Sequence, residues 1–426
     1  MKYHIWTVGC QMNVADSRKL AAGLDRAGFA PVDAMDDADL VVLNTCSVRE
    51  HAEDRAIGQL GRLKKQRTKG RDFKIAVMGC MVGPRADDLR RRFPYVDVFA
   101  RPQEFSPILE AVGVDDTGGE FWPSTFAEPD SVTAFVPVVH GCDKFCTYCI
   151  VPYRRGREKS RTIGDIRNEI EHYCARGVRE ITLLGQTVEA YGHDLRDQPD
   201  LGDLMRAIHD TPGLARIRFL TSYPKDMTSR IVGAVAELPK VCENFNIPVQ
   251  SGDDAVLERM RRGYTLREYL EKFDLVRMTI PHAAMVTDII VGFCGESDAE
   301  FRNTYALLER LRFDKVHVAA YSPRPGTIAH RNLADDVADD VKRERLQAIE
   351  QLEARISLEI NSALLDTEQE VLVENRRDGR WNGRTRTGKL VHFDGDAQPG
   401  DLLMVRIDRA SAWSLQGTAL PAPVSA

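Results

Sequence analysis

Three closely spaced cysteines carry the first chemical signal in this chain. Cys142, Cys146 and Cys149, in HGCDKFCTYCIVP, follow a C-x3-C-x2-C spacing. A structural zinc site needs a fourth ligand, and nearby His140 lies at strand spacing from Cys142. Three thiolates on a four-iron cluster instead leave one iron without a protein ligand, the open position that a substrate-binding cluster requires. Cys10 in VGCQMN, Cys46 in NTCSVRE and Cys80 in MGCMVG lie far apart in the chain and form a second such set only if folding gathers them. The other three of the nine cysteines, Cys174, Cys242 and Cys294, match no cluster pattern and are expected to be packing residues. An odd count on a long chain suits a reducing compartment better than a disulfide framework.

Two kinds of element would have to position these thiols. Apolar runs at Tyr3 to Val8, Leu40 to Leu43 and Ile75 to Met78 alternate with helical patterns at Ala15 to Ala27 and His51 to Lys65, which predicts a parallel α/β domain over residues 1–115. Cys10, Cys46 and Cys80 each stand just past one of those runs, so parallel strands would bring all three to one sheet edge. A stretch rich in Gly, Pro, Thr and acidic residues over 116–131 reads as a linker. Residues 132–365 hold six candidate strands, at Phe135 to Val139, Glu180 to Leu184, Arg216 to Leu220, Asn244 to Val249, Met285 to Val291 and Lys315 to Ala320. Helical segments between them predict a partial (β/α)6 barrel of the TIM type, with working residues in the loops after the strands, and a long helix from about Asp335 to Leu365 follows. Over 366–426 the short pieces EVLVEN, KLVHF and LLMVRID, parted by basic turns such as RDGRWNGRTRTGK, predict a small all-β barrel. Both larger parts are of α/β class.

The formal net charge of −6 argues against general nucleic-acid affinity, yet basic residues cluster locally. The groups are Arg62 to Arg71, then Arg154, Arg155, Arg157, Lys159 and Arg161, then Arg376, Arg377, Arg380, Arg384, Arg386 and Lys389. No stretch approaches the roughly 20 apolar residues of a membrane helix, and MKYHIWTVGC reads as a strand rather than a leader, so the cytoplasm is the expected compartment.

The compact motif, with a strand before it and Phe145 and Tyr148 inside it, resembles the radical S-adenosylmethionine superfamily. That resemblance implies that the amino and carboxylate groups of S-adenosylmethionine bind the open iron, and that one electron cleaves the sulfonium to a 5′-deoxyadenosyl radical. Gln186, Gln250, Ser251, Gly292 and Glu296, in later barrel loops, are then placed to hold the methionine and ribose parts, with ordinary loop capping an equal alternative.

Taken end to end, the chain resembles the methylthiotransferase family, in which a three-cysteine domain, a radical barrel and a TRAM domain follow one another. GCQMNVADS, NTCSVREHAEDRA and CTYCIVPYRRGREKSR are closest to the branch that acts on N6-dimethylallyladenosine in tRNA. Departures are Arg154 in place of a small residue, Cys294 in place of proline, and Met81 with Val82 after the third cysteine; none removes a cluster ligand. The resemblance implies two [4Fe–4S] clusters and two uses of S-adenosylmethionine, one as methyl donor to sulfur and one as radical source. The product would carry C2–S–CH3 in place of C2–H on the prenylated adenosine at position 37 of the anticodon stem-loop. It implies as partners an electron donor such as flavodoxin or ferredoxin and a sulfur source, with the protein a monomer. Arg154, Arg155 and Arg157 would face RNA beside the radical cluster, and Arg384 and Arg386 would do so from the TRAM domain, whose Phe393 is expected in the core. Action on threonylcarbamoyl-adenosine of tRNA, action on ribosomal protein S12, and a non-catalytic RNA-binding protein with structural zinc remain as alternatives.

Overall fold

A computed structural model describes residues 1–47, 50–83, 86–114, 126 and 128–420. Most of the expected linker lies outside the described residues.

The amino-terminal domain runs β1 (Lys2–Thr7), α1 (Gln11–Arg26), β2 (Ala30–Pro31), β3 (Leu40–Thr45), α2 (Glu50–Thr68), β4 (Lys74–Gly79), α3 (Asp87–Arg92), β5 (Val98–Ala100) and α4 (Ser106–Ala111). Its sheet is parallel in the order β2-β1-β3-β4-β5. Successive residues of a strand point to opposite faces, and the core divides accordingly. Val41, Leu43, Ile75 and Val77 pack on Ala56, Leu60 and Leu63 of α2. Leu40, Val42, Ala76 and Met78 pack on Leu20 and Leu24 of α1 and on Ile108 and Leu109 of α4. Strands covered on both faces need continuous apolar runs, which is why LVVLNT of β3 is buried throughout.

The second domain comprises β6 (Thr133–Pro137), β7 (Val139–His140), α5 (Val151–Arg155), β8 (Lys159–Ser160), α6 (Ile163–Cys174), β9 (Glu180–Leu184), α7 (Leu201–His209), β10 (Arg216–Leu220) and α8 (Ser229–Glu237). It continues through β11 (Asn244–Asn246), α9 (Asp254–Arg259), α10 (Leu266–Thr279), β12 (Ala284–Val291), α11 (Asp298–Leu311), β13 (Lys315–Ala320), α12 (Ile328–Asn332) and α13 (Asp339–Ser362). Six parallel strands form two three-stranded halves, β6-β9-β10 and β11-β12-β13. The halves meet where Ile217 pairs with Val241. Capping boxes at Asp200, Thr265 and Ser297 start α7, α10 and α11, satisfying amides that the first turn leaves unpaired. All six expected strands are present, with β6 lying two residues earlier than expected, Val139 falling in the separate β7, and β11 ending three residues sooner.

The carboxyl-terminal domain is a closed barrel of β14 (Glu368–Arg377), β15 (Arg380–Thr385), β16 (Leu390–Asp394), β17 (Leu402–Ala410) and β18 (Leu415–Ala419), around Val371, Val373, Val391, Phe393, Val405, Ile407 and Leu415. Part of the segment expected as one basic turn is strand β15: RWNGRT pairs with both β14 and β16, and Gly383 lets the β14 backbone approach where a Cβ would sit 2.2 Å from the Leu372 carbonyl oxygen.

Docking between the domains decides which residues reach solvent. The first turn of α1 lies over the carboxyl ends of the barrel strands, where Met12 and Ala15 pack on Leu184, Phe135 and Leu220. At the opposite end the β15–β16 turn plugs the barrel. Arg216 and Arg218 donate to the carbonyls of Arg384, Thr385 and Arg386 at 2.7 Å each, and Asn244 donates to that of Thr387 at 2.8 Å. No described helix is long and apolar enough to cross a membrane.

Candidate active site

Cys10, Cys46 and Cys80 follow β1, β3 and β4 and gather at one edge of the amino-terminal sheet. Cys10 is the N-cap of α1, and its thiol donates to Oδ1 of Asn13 at 3.3 Å. A Cβ built on Gly9 would lie 2.8 Å from that of Cys46, so these two strand ends touch. The Cys80 amide donates to the Thr45 carbonyl at 2.9 Å and the Ser47 hydroxyl to the Cys80 carbonyl at 2.8 Å, which joins the second and third ends. Buried Asn13 crosses all of this, donating to the Thr45 carbonyl at 2.9 Å and to Asn44 Oδ1 at 3.0 Å. Burial pushes the Cys80 thiol up from its ordinary pKa, against the pull of the Arg155 cation.

The second thiol group lies on the loop between β7 and α5. Gly141, at φ +76°, turns the chain so tightly that a Cβ would meet the Arg157 carbonyl oxygen at 2.0 Å. The loop is tied down by Cys142 N to the Gly156 carbonyl at 3.1 Å, Thr147 N to the Met260 carbonyl at 3.0 Å, and Cys149 N to the Cys146 carbonyl at 3.0 Å. Cys142 and Cys146 are buried and Cys149 is half-buried. Burial, followed by the neighbouring Cys146 sulfur, raises the Cys149 thiol pKa, and burial likewise raises that of Cys142. Among the described residues no three of His, Cys, Asp or Glu stand close enough to chelate one metal ion. A four-iron cluster spreads its thiolates more widely than one ion does, and two three-thiol sets, each held on loops at strand ends, fit such a group.

Cys149 opens onto a cavity of about 960 Å³ at the carboxyl ends of the barrel strands. Tyr148, Gln250, Asp288, His317, Tyr321, Arg324 and Lys342 contribute to its lining. Of the residues expected to bind S-adenosylmethionine, Gln250 lines this cavity, at φ +73°. Gln186 is half-buried one residue before Thr187, whose hydroxyl is 3.5 Å from the Cys142 sulfur. Ser251, Gly292 and Glu296 are not among the residues that line the cavity. Ser251 is fully buried with its hydroxyl 3.2 Å from that of Thr304, and Glu296 accepts from the Gly292 amide at 2.6 Å and pairs with Arg345 at 2.8 Å. These polar groups are engaged within the fold, by Thr304 of α11 and Arg345 of α13.

The arginines expected at RNA divide similarly. Arg157 is 79% exposed at its side chain and Arg384 46%. Arg155 is buried against Asp16 with both side chains at 0%, and Arg154 is half-buried against Gly83. Arg386 is committed to docking: it pairs with Glu243 at 2.6 Å and donates to the carbonyls of Val241 and Pro239. No phosphate can reach Arg155 in this arrangement, and the carboxylate of Glu243 already occupies the fork of Arg386. A turn rich in arginine reads from sequence as solvated, and only tertiary packing reveals that it faces carboxylates.

Sequence reasoning missed Arg262. It is 5% exposed and donates to the Cys146 sulfur at 3.3 Å, the Tyr148 hydroxyl at 3.2 Å, the Tyr264 hydroxyl at 2.9 Å and the Pro248 carbonyl at 3.1 Å. Nothing in MRRGYT separates it from Arg261. Asp288 and His317, which line the cavity, were missed as well, although a charged or titratable residue within the largely apolar strands MVTDIIV and KVHVAA was a signal.

Three family models match the chain: the radical SAM superfamily over residues 136–308, the uncharacterized protein family UPF0004 over 2–100, and the TRAM domain over 365–420. The chain is 45% identical over 417 residues to a protein of Dehalococcoides mccartyi named tRNA-2-methylthio-N(6)-dimethylallyladenosine synthase, covering 97% of each. A protein of the same name from Roseiflexus sp. is also 45% identical, with 98% of this chain and 89% of that one aligned. Among solved structures, the radical S-adenosylmethionine methyltransferase TsrM of Kitasatospora setae, with cobalamin and a [4Fe–4S] cluster bound, aligns at TM-score 0.55 and 14% identity over 87% of this chain and 77% of that one, a likeness of fold alone.

Proposed function

The chain belongs to the tRNA-2-methylthio-N(6)-dimethylallyladenosine synthase family of radical methylthiotransferases, and from that premise we propose that its six loop cysteines hold two [4Fe–4S] clusters with separate tasks. The enzyme converts N6-dimethylallyladenosine at tRNA position 37 to its 2-methylthio derivative. Cys142, Cys146 and Cys149 are the ligands of the radical cluster, and Cys10, Cys46 and Cys80 those of the auxiliary cluster. With S-adenosylmethionine bound, the radical cluster supplies a hydrogen-abstracting radical, and the auxiliary cluster supplies a site where sulfur is held and methylated.

The protein's own part is to position and to exclude water. Arg262 fixes Cys146 by an N–H···S hydrogen bond, and burial of Cys142 and Cys146 keeps solvent from the reducing centre. Gln250 binds the cofactor at the cavity wall beside Cys149, Gln186 does so from the loop whose Thr187 lies at Cys142, and the cavity takes the prenylated base. Arg157 and Arg384 bind phosphates from exposed positions, where Asp143 at 2.5 Å and Glu374 at 3.3 Å are their present partners, and Arg376, Arg377 and Arg380, the last paired with Asp394 at 2.8 Å, are exposed around the β14–β15 hairpin. The work belongs in the cytoplasm, on a monomer supplied by an electron donor such as flavodoxin or ferredoxin and by a sulfur source.

The observation that carries this reading is the gathering of Cys10, Cys46 and Cys80 at one sheet edge, held over the carboxyl ends of the radical barrel by α1. Mass spectrometry of tRNA nucleosides from a deletion strain should show the methylthio group lost and the prenyl group kept. Complementation with the parent gene should restore it, and Cys10→Ala/Cys46→Ala/Cys80→Ala should not. A methylthio loss confined to threonylcarbamoyl-adenosine would overturn the substrate.

A further inference from the structure

Arg155 stands on the helix that follows one cysteine motif, yet its side chain belongs to the other. It leaves α5, just past Cys149, and enters the amino-terminal domain. There Nη2 donates to Asp16 Oδ2 at 3.0 Å and to Asn13 Oδ1 at 3.2 Å. The same Asn13 oxygen accepts from the Cys10 thiol. Nε and Nη1 are buried and make no hydrogen bond to any described residue, sulfur included, and the charge of the same guanidinium opposes the rise that burial gives the Cys80 thiol. One guanidinium thus touches the environment of two of the three auxiliary cysteines while its backbone is fixed to the radical loop.

A guanidinium offers five N–H donors, and here a carboxylate and an amide oxygen use only one of its nitrogens. As a device for stability this is a poor one, because a buried ion pair roughly breaks even against a well-packed apolar pair. Three thiolates on a four-iron core carry net negative charge, which grows when an electron enters. A buried cation with N–H donors to spare stabilises that charge, and hydrogen bonds to cluster sulfurs and local charge are the levers by which a protein sets a cluster's potential.

We propose that Arg155 is a positioning residue for the auxiliary cluster: lent by the radical domain, it raises that cluster's reduction potential from its place on Asn13, beside the Cys10 thiol, and ties the two clusters into one geometry. The inference rests on the auxiliary cluster proposed above, and Asp16 is the counter-charge that tempers the effect.

The test uses the full chain carrying Cys142→Ala, Cys146→Ala and Cys149→Ala, reconstituted so that only the auxiliary cluster remains, with its potential followed by electron paramagnetic resonance. Adding Arg155→Gln should shift the reduced-to-oxidised ratio at fixed potential at least tenfold toward oxidised, equivalent to about 59 mV for a one-electron couple. Arg155→Lys, which keeps the charge and loses the fork, should restore part of the shift. If Arg155→Gln takes up no cluster, Asp16→Asn decides, because it keeps the cation and removes its counter-charge: a more positive potential upholds the assignment and an unchanged one overturns it. A cluster present at an unmoved potential in Arg155→Gln sinks the role of Arg155 alone. No iron in the starting triple variant sinks the auxiliary cluster itself.

Discussion

Two glycines do for the thiols what no other residue can. Gly79 precedes Cys80 at φ +96°, and a Cβ there would lie 2.3 Å from the Thr45 carbonyl oxygen, the acceptor that holds the Cys80 amide. Gly141 precedes Cys142 under the same constraint from Arg157. Strain of this kind costs on the order of 1–3 kcal/mol and displaces the next residue. Gly79→Ala should lower bound iron from about eight to about four per chain while 5′-deoxyadenosine formation persists. Gly141→Ala should lose the other half together with 5′-deoxyadenosine, and iron assay with chromatography of the nucleoside separates the two. A third residue makes stability depend on pH. Burial raises Glu189 to about 8, although the Tyr223 amide donates to it at 3.2 Å. Between the unfolded carboxyl range near 4.5 and that value the native state binds the extra proton, so the stabilisation present at low pH is lost as pH rises through about 8. Glu189→Gln mimics the neutral form, and its melting temperature should fall less than the parent's between about pH 6 and about pH 9.

At the scale of elements, the β15–β16 turn holds the TRAM barrel to the rest. Arg216, at the first position of β10, has no exposed surface in its side chain and pairs with Glu370 of β14 at 2.7 Å while donating to the Arg384 carbonyl. Removing the arginine strands its carbonyl acceptors at the junction and leaves Glu370, itself part-exposed, without its partner. Arg216→Met should therefore loosen the TRAM barrel against the radical barrel, seen as faster amide exchange over residues 384–389 with the exchange of β12 unchanged. Equal acceleration in both would mean that Arg216 serves the radical barrel rather than the junction.

Across the whole molecule, the two functional ends of the radical barrel are divided between partners. The carboxyl ends of its strands meet α1 and the auxiliary thiols, and the amino ends meet the TRAM turn. RNA engaged at the cavity must reach the TRAM domain along its outer surface, where Arg376, Arg377 and Arg380 surround Trp381 and the Arg376 guanidinium lies 5.4 Å from the ring centroid. Changing all three arginines to Ala should weaken tRNA binding and flatten the slope of log affinity against log salt by up to about 0.9 for each phosphate no longer neutralised. Arg386→Ala should act instead through docking, with the salt slope kept.

Spacing along the chain determined the radical motif, because its three thiols share one loop and local geometry suffices to place them. Short apolar runs between period-3.6 segments determined the six barrel strands to within a few residues, since burial in a parallel sheet demands largely continuous apolar runs. Position just past three such runs was enough to group Cys10, Cys46 and Cys80. What only the tertiary structure decided is the fate of charge. Arg154, Arg155, Arg157, Arg384 and Arg386 are the same residue type in similar basic segments, yet Arg157 stays exposed beside its near neighbour Asp143, Arg386 meets a carboxylate across a domain junction, and Arg155 is buried on Asp16 and Asn13 next to the other cysteine set. A guanidinium takes whatever anion the fold brings within hydrogen-bond reach, and those partners lie more than a hundred residues away in the chain: Asp16 for Arg155, Glu243 for Arg386 and Cys146 for Arg262.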